Sequence, residues 1–254
     1  MLRSLLKRFA KKDPSSVRIA LCEDRIFLSS QEVIPLQKNE DAPAWRAAID
    51  ALPLILRNLK DQTANIVLAD QFVRYALLPW SDALKTHAQW MALARHRFCA
   101  IHGPVANEWE IKFAETAPAG PRLACAVDAG LVDELAARFS GTGVSLVSVL
   151  PFLIAAFNQV RELTGGSCWL VVEEPGRLTL ALFLRGVWVA IRSGRGDPAW
   201  RESLPELIAR ESALLGLEEP CTRVIVCAQG PFEAEYENFR LDAFDYQELA
   251  LAAN

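Results

Sequence analysis

Residues 169–192 read Trp-Leu-Val-Val-Glu-Glu-Pro-Gly-Arg-Leu-Thr-Leu-Ala-Leu-Phe-Leu-Arg-Gly-Val-Trp-Val-Ala-Ile-Arg. Trp169 to Glu173, Leu178 to Leu184 and Val187 to Arg192 are rich in β-branched, aromatic and other apolar residues. Pro175-Gly176 and Arg185-Gly186 separate them, and glycine supplies the positive φ that a tight turn demands. The stretch therefore predicts a three-stranded meander. Asp197-Pro198 then predicts a helix to about Leu215, with Trp200, Leu204, Leu207 and Ile208 inward and Gly216 as its stop. Thr222 to Ala228 reads as a strand.

The same order stands near the start of the chain. Val17 to Cys22 and Arg25 to Ser30 are predicted strands around Glu23-Asp24, followed by Val33 to Leu36. From about Pro43 to Leu59, Trp45, Ile49, Leu52, Leu56 and Leu59 recur at the spacing of one helix face, and Pro53 predicts a kink. Asn65 to Ala69 reads as a strand. Strand–strand–strand–helix–strand thus appears at residues 17–69 and again at 169–228. A duplicated unit of that order predicts an α/β protein of two related subdomains, each built on a mixed sheet.

An insertion separates the copies. Phe72 to Leu78 is a predicted strand, and Ser81-Asp82 would cap a helix to about Ala100. Trp109 to Ala114 and Leu123 to Val127 read as strands. Asp128 would cap a short helix with Leu131, Leu135 and Phe139 on one face. Gly141-Thr142-Gly143 leads into the strand Val144 to Val149, and Pro151 suits the first turn of a helix ending near Leu163. The expected divisions are a basic extension at 1–16, a first subdomain at 17–163 with an insertion at about 72–127, a shortened second subdomain at 164–230, and an acidic aromatic tail at 231–254, which is either a segment packed back on the first half or a recognition peptide, its aromatic content arguing against disorder.

Composition excludes several classes. With 254 residues, 52% apolar and 23% charged, the chain is globular. A net charge of −4 offers nucleic-acid phosphates no overall attraction, so no nucleic acid is expected as a partner. The six cysteines show no Cys-x-x-Cys spacing, which fits free thiols in a reducing compartment. The longest apolar run, Val144 to Phe157, is short of the roughly 18 residues a membrane span takes and contains serines and a proline. No secretory signal is legible at the N-terminus, where charge interrupts the apolar residues.

Catalytic chemistry finds no foothold. His96, Cys99 and His102 stand at i, i+3 and i+6 on a predicted helix, where the outer two diverge and a fourth ligand is missing. Neither a nucleophile elbow, a zinc-protease helix nor a phosphate-binding Walker loop is present. Ser193-Gly-Arg-Gly-Asp197 reads as a strand-to-helix loop rather than an anion site. Catalytic, cofactor and metal residues are all expected to be absent. Residues 1–12 carry five positive charges and no negative one. As a helix, Leu2, Leu5, Leu6 and Phe9 share a face, with Arg3, Lys7, Arg8, Lys11 and Lys12 around the rest. This is either a weak surface anchor to anionic lipid, at up to ~1 kcal/mol per basic residue, or a solvated tail.

The order of elements and several strings resemble the PilM family, actin-like proteins of type IV pilus assembly related to the cytoplasmic part of general secretion pathway protein L. The strings are Ile66-Val-Leu-Ala-Asp-Gln-Phe-Val-Arg-Tyr-Ala-Leu-Leu-Pro-Trp80, Asp128-Ala-Gly-Leu-Val-Asp-Glu-Leu135 and Val147-Ser-Val-Leu-Pro-Phe-Leu-Ile-Ala-Ala-Phe157. The resemblance implies an actin-like, duplicated ribonuclease H-like fold. It also implies a cytoplasmic scaffold, peripheral at the inner membrane, that grips a segment of a bitopic membrane partner in the cleft between the first subdomain and its insertion. Phe72, Arg74, Tyr75 and Trp80 are the candidates there. Actin-like ATPases hold ATP between two hairpin tips that need glycine for close approach to phosphate. Here the tips read Cys22-Glu23-Asp24-Arg25 and Glu173-Glu174-Pro175-Gly176, with four carboxylates and one glycine. A non-catalytic scaffold is the expectation. A nucleotide-binding ATPase and a regulatory module independent of the membrane are the alternatives.

Overall fold

Short apolar runs buried on both faces make most of the two meanders, and the computed structural model places each of them beside two parallel strands. Residues 16–113, 120–230, 232, 236 and 238–251 are described. The basic segment Leu2 to Lys12 lies outside them, so its proposed membrane contact has no structural counterpart here.

In the first half, β1 (Ser16–Leu21), β2 (Arg25–Leu28) and β3 (Val33–Pro35) pair antiparallel, α1 (Arg46–Arg57) follows, and β4 (Thr63–Leu68) pairs parallel to β1. β5 (Val73–Leu78), α2 (His87–His102), β6 (Trp109–Phe113) and β7 (Arg122–Asp128) come next. α3 (Ala129–Phe139), β8 (Ser145–Pro151) and α4 (Phe152–Val160) complete this half. In the second, β9 (Cys168–Glu174), β10 (Arg177–Leu184) and β11 (Val187–Arg195) form the meander, followed by α5 (Leu204–Leu214), β12 (Arg223–Ala228), β13 (Arg240–Asp245) and α6 (Tyr246–Leu251).

The two five-stranded sheets have the same order, β3-β2-β1-β4-β8 and β11-β10-β9-β12-β13, with β5-β7-β6 as a separate three-stranded sheet. In both large sheets the last two neighbour pairs are parallel. The duplication inferred from element order is a duplication of topology. A single hydrophobic core spans both halves, from Ile19, Ile49 and Ile66 through Phe152 to Leu170, Ile225 and Tyr246.

Three sequence expectations change. α2 begins at His87 and not at Ser81-Asp82, because Thr86 and Gln89 form a complete capping box: Gln89 N–H donates to Thr86 Oγ1 at 3.2 Å, and Gln89 Oε1 accepts the Lys85 and Thr86 N–H groups. α5 begins at Leu204, since Trp200 and Arg201 are held by Glu173 in the turns after Asp197. Pro53 lies within α1 without ending it. The stretch set apart as a tail supplies β13 and α6. β13 pairs parallel to β12 and is tied to it by the Arg223–Asp242 ion pair at 2.7 Å. As a half-exposed edge strand it tolerates acids, which is why its composition resembled a tail.

Candidate functional site

Two places draw residues from separate elements: the junction of the halves, and a slot beside the insertion sheet. The junction starts at the end of β4, where Asp70 to Phe72 make a single 3-10 turn. That turn aims the Asp70 side chain at α4, whose own preceding residue, Pro151, provides no side-chain cap. Asp70 Oδ1 accepts the Leu153 N–H at 3.1 Å and the Tyr75 hydroxyl proton. Asp70 Oδ2 is buried without a partner among the described residues.

Glu173 and Glu174 are consecutive at the end of β9, so they face opposite sides of the strand. Glu173 turns to its own half, accepting from Trp200 Nε1 at 2.9 Å and Arg201 at 2.8 Å. Glu174 crosses to the other. Its Oε1 accepts the Asp70 N–H at 2.9 Å and the Tyr246 hydroxyl at 2.6 Å, and its Oε2 accepts the Gln71 N–H at 3.0 Å. Gln71 returns a bond from Nε2 to the Pro175 carbonyl. The Gly176 φ of +72° belongs to the two-residue turn that puts Pro175 there.

Tyr246 opens α6 and seals the junction. Its ring stacks on Phe152 with centroids 3.8 Å apart and lies 6.0 Å from Phe27, while its hydroxyl is 3.7 Å from Cys22 Sγ. Both carboxyls are essentially closed to water, at 0% exposure for Asp70 and 3% for Glu174. Burial pushes Asp70 up to about 6, against the pull of Tyr75, the Leu153 N–H and Arg177. Burial, then the Asp70 charge, pushes Glu174 up to about 8 against its three donors. Burial likewise holds the Cys22 thiol and Tyr246 hydroxyl protonated.

The other hairpin tip is also satisfied internally. Asp24 pairs with Arg25 at 2.7 Å and Glu23 with Lys38 at 2.9 Å. An open hollow of about 220 Å³ beside the second tip has Glu173, Glu174 and Asp197 in its wall. Arg177 lines the same hollow, so the junction sets one cation beside three carboxyl groups, and the Asp70 and Gln71 N–H groups are already bonded to Glu174.

The slot has a different character. A cavity of about 70 Å³ lies among Leu68, Cys125, Val127, Leu135, Val149 and Pro151, with Glu110 and Lys112 paired at 3.1 Å in its wall. Its walls include β8, an edge of the first sheet, and β6, an edge of the insertion sheet. Leu146 to Leu150 remain half exposed there.

None of the four sequence candidates lines this slot. Phe72 is buried in the main core, Tyr75 is bound to Asp70, and Arg74 donates to the Gln71 and Val73 carbonyls at 3.0 Å each. Trp80 packs 5.8 Å from Trp90 at another hollow. β5, which carries Arg74 and Tyr75, sits at the edge of the insertion sheet opposite β6. The Val144 to Phe157 run held the missing signal, an apolar strand too long for the burial an edge position gives it.

Of the remaining motifs, His102 lies 5.1 Å from Trp109 and Cys99 donates to Asn107. Among the described residues no group of three His, Cys, Asp or Glu side chains is placed to hold a metal. Ser193 accepts from Arg177 and Thr179, and a Cβ on Gly196 would stand 3.3 Å from the Arg177 backbone. Ser193 to Arg195 prolong β11 along β10 instead of forming the expected loop, and the chain at Gly196 packs on Arg177. Among the described residues no helix is long and apolar enough to cross a membrane.

Twin sheets of this order, joined through the ends of β4 and β9, define the actin-like fold. Among solved structures, the chain is similar to the PilM–PilN type IV pilus biogenesis complex (TM-score 0.64, 14% identity, covering 96% of this chain and 91% of that one). It is also similar to the cytoplasmic domain of EpsL, an inner membrane component of the type II secretion system of Vibrio cholerae (TM-score 0.59, 12% identity, 92% of each chain). A Bacteroides thetaiotaomicron protein with an actin-like ATPase fold gives a TM-score of 0.55 at 10% identity over 88% and 86%. No protein-family model and no curated protein sequence matches the chain.

Proposed function

We propose that this chain is a non-catalytic cytoplasmic scaffold of a type IV pilus or type II secretion-like assembly, which holds a cytoplasmic segment of an inner-membrane partner. The carrying observation is the Glu174 carboxylate bonded to the Asp70 and Gln71 N–H groups. Phosphoryl transfer needs free, positioned donors and metal ligands at such a junction, and here the Glu174 carboxyl has taken the donors. The likeness in fold to PilM in its complex with PilN and to the EpsL cytoplasmic domain supports the assembly role. The slot supplies the grip: an extended segment would pair with the free edge of β8 and set apolar side chains against Val149 and Leu135.

Two measurements test the reading. In a pull-down from a membrane extract, the tagged protein is expected to recover a small bitopic protein, and Val149→Arg is expected to lose it. Recovery of soluble enzymes alone counts against the scaffold. Millimolar Mg-ATP is expected to leave the melting temperature unchanged; a clear rise would establish a ligand of the native state and revive the ATPase alternative.

A further inference from the structure

Three arginines lie over tryptophan rings: Arg46 over Trp45 at 4.6 Å, Arg201 over Trp200 at 5.7 Å and Arg122 over Trp90 at 4.2 Å. The first two also meet a carboxylate, Arg46 with Glu134 at 3.1 Å and Arg201 with Glu173 at 2.8 Å. Among the described residues no carboxylate pairs with Arg122, although its guanidinium is the most closely stacked of the three. Phe113 stands 5.6 Å away from the same group. A stacked guanidinium has lost side-chain freedom yet keeps its N–H edges for a planar acceptor, so binding one costs less ordering.

The surroundings repeat the message. An open hollow of about 360 Å³ is walled by Trp80, Lys85, Thr86, His87, Trp90 and Arg122, and among the described residues no carboxylate lines it. Lys85 is exposed and forms no ion pair among the described residues. His87 packs 5.0 Å from Phe113, and Trp80 and Trp90 lie 5.8 Å apart as an aromatic wall. In a chain with 31 acidic against 27 basic residues, a hollow walled by Arg122 and Lys85 with no acid among its described lining residues is out of keeping with the whole. The surrounding negative charge disfavours a long polyanion, whereas a hollow of this size takes one or two side chains.

We propose that this hollow binds an acidic peptide segment of a protein partner, with a carboxylate on Arg122 and Lys85 and a flat apolar neighbour against Trp80. The site is distinct from the slot. Arg122 packs on the α2 side of β7, while Cys125 and Val127 line the slot from the other face, as alternation along a strand requires. One scaffold would thereby hold two partner segments on opposite faces of its insertion sheet.

The test pans a library of short random peptides, displayed on phage, against the full chain and, in parallel, against Arg122→Gln and Lys85→Glu. Peptides pairing Asp or Glu with an aromatic residue or proline are expected to dominate the wild-type pool. The synthetic consensus peptide is expected to change tryptophan fluorescence, to weaken at least about tenfold in either variant, and to weaken further as salt is raised. Lys85 is exposed, so Lys85→Glu is expected to melt with the wild type and report on binding alone. A pool without acids, equal selection by both variants, or a response only to inorganic phosphate or anionic vesicles overturns the proposal.

Discussion

Glu174, a residue of the second sheet, accepts the backbone N–H of Asp70, at the end of a strand of the first, at 2.9 Å. Its other oxygen takes the next N–H, of Gln71. A charge-capable side chain thus does between the halves what a bound anion does at other backbone turns: it gathers N–H dipoles that point at one place. Asp70 repeats the device one step further on, capping α4 through Leu153. The two carboxyls are linked through the backbone between them, so closure of the halves needs no diffusible ligand.

Glu174→Ala leaves two backbone donors and the Tyr246 hydroxyl without their acceptor in a closed space. The desolvation cost of Glu174 itself offsets part of that loss. The net destabilisation is expected to be about 2–4 kcal/mol in urea melts, since each buried donor left unsatisfied costs roughly 1–3 kcal/mol. Glu174→Gln, which retains one acceptor, is expected to cost less than Glu174→Ala. A change within experimental error for Glu174→Ala would mean that the junction is hydrated and unimportant to the fold.

The same pair makes stability depend on pH in a defined direction. Both carboxyls are raised in the folded chain, Asp70 to about 6 and Glu174 to about 8, whereas unfolded carboxyls titrate near ~4. Between those limits the folded chain keeps protons that the unfolded chain has lost, so stability falls as pH rises through that window. The contribution is fully present below about 4 and lost above about 8. Urea midpoints taken across that range should fall for the wild type and fall less steeply for Glu174→Gln. Parallel slopes in the two proteins would show that Glu174 does not titrate there.

Tyr246 combines two contributions that substitutions separate. Tyr246→Phe keeps the ring on Phe152 and removes only the hydroxyl that serves Glu174, for an expected loss of about 1–2 kcal/mol. Tyr246→Ala also empties the space between Phe27 and Phe152, for about 3–5 kcal/mol. Thermal melts of both proteins check the order. Equal losses would place the whole effect in the hydroxyl and none in the packing.

The second meander was legible because short runs of β-branched and apolar residues are a local signal, and Pro175-Gly176 and Arg185-Gly186 mark its turns without tertiary context. Doubled topology then followed from order alone. The junction was only half legible. Two adjacent acids at a hairpin tip argue against a polyphosphate, but nothing local tells that Glu174 crosses to Asp70, 104 positions away. The aromatic residues of the last stretch allowed it to pack back on the first half, as α6 does against β1, β2 and α4, but the acids among Leu241 and Phe244 hid the edge strand β13. The slot was not legible for a topological reason: the sequence shows which strands the insertion contains, not that β7 lies between β5 and β6.

The start of α2 offers the sharpest contrast between local signals. Ser81-Asp82 and Thr86 both suit an N-cap, but only Thr86 has glutamine three residues later. In the structure Ser81 merely closes a turn, its Oγ accepting the Ala83 N–H at 3.3 Å and its carbonyl the Leu84 N–H at 3.2 Å. The box at Thr86 satisfies three helix-end donors: Lys85, Thr86 and Gln89. Thr86→Ala is therefore expected to destabilise by about 1 kcal/mol and Ser81→Ala by less than about 0.5 kcal/mol. α2 covers the insertion sheet through Trp90, Ala94 and Phe98, so the loss should register in a global melt and in faster amide exchange at the first turn of the helix. If Ser81→Ala proved the costlier of the two, the helix would begin five residues earlier than the capping box places it, and Lys85 would leave the mouth of the Arg122 hollow.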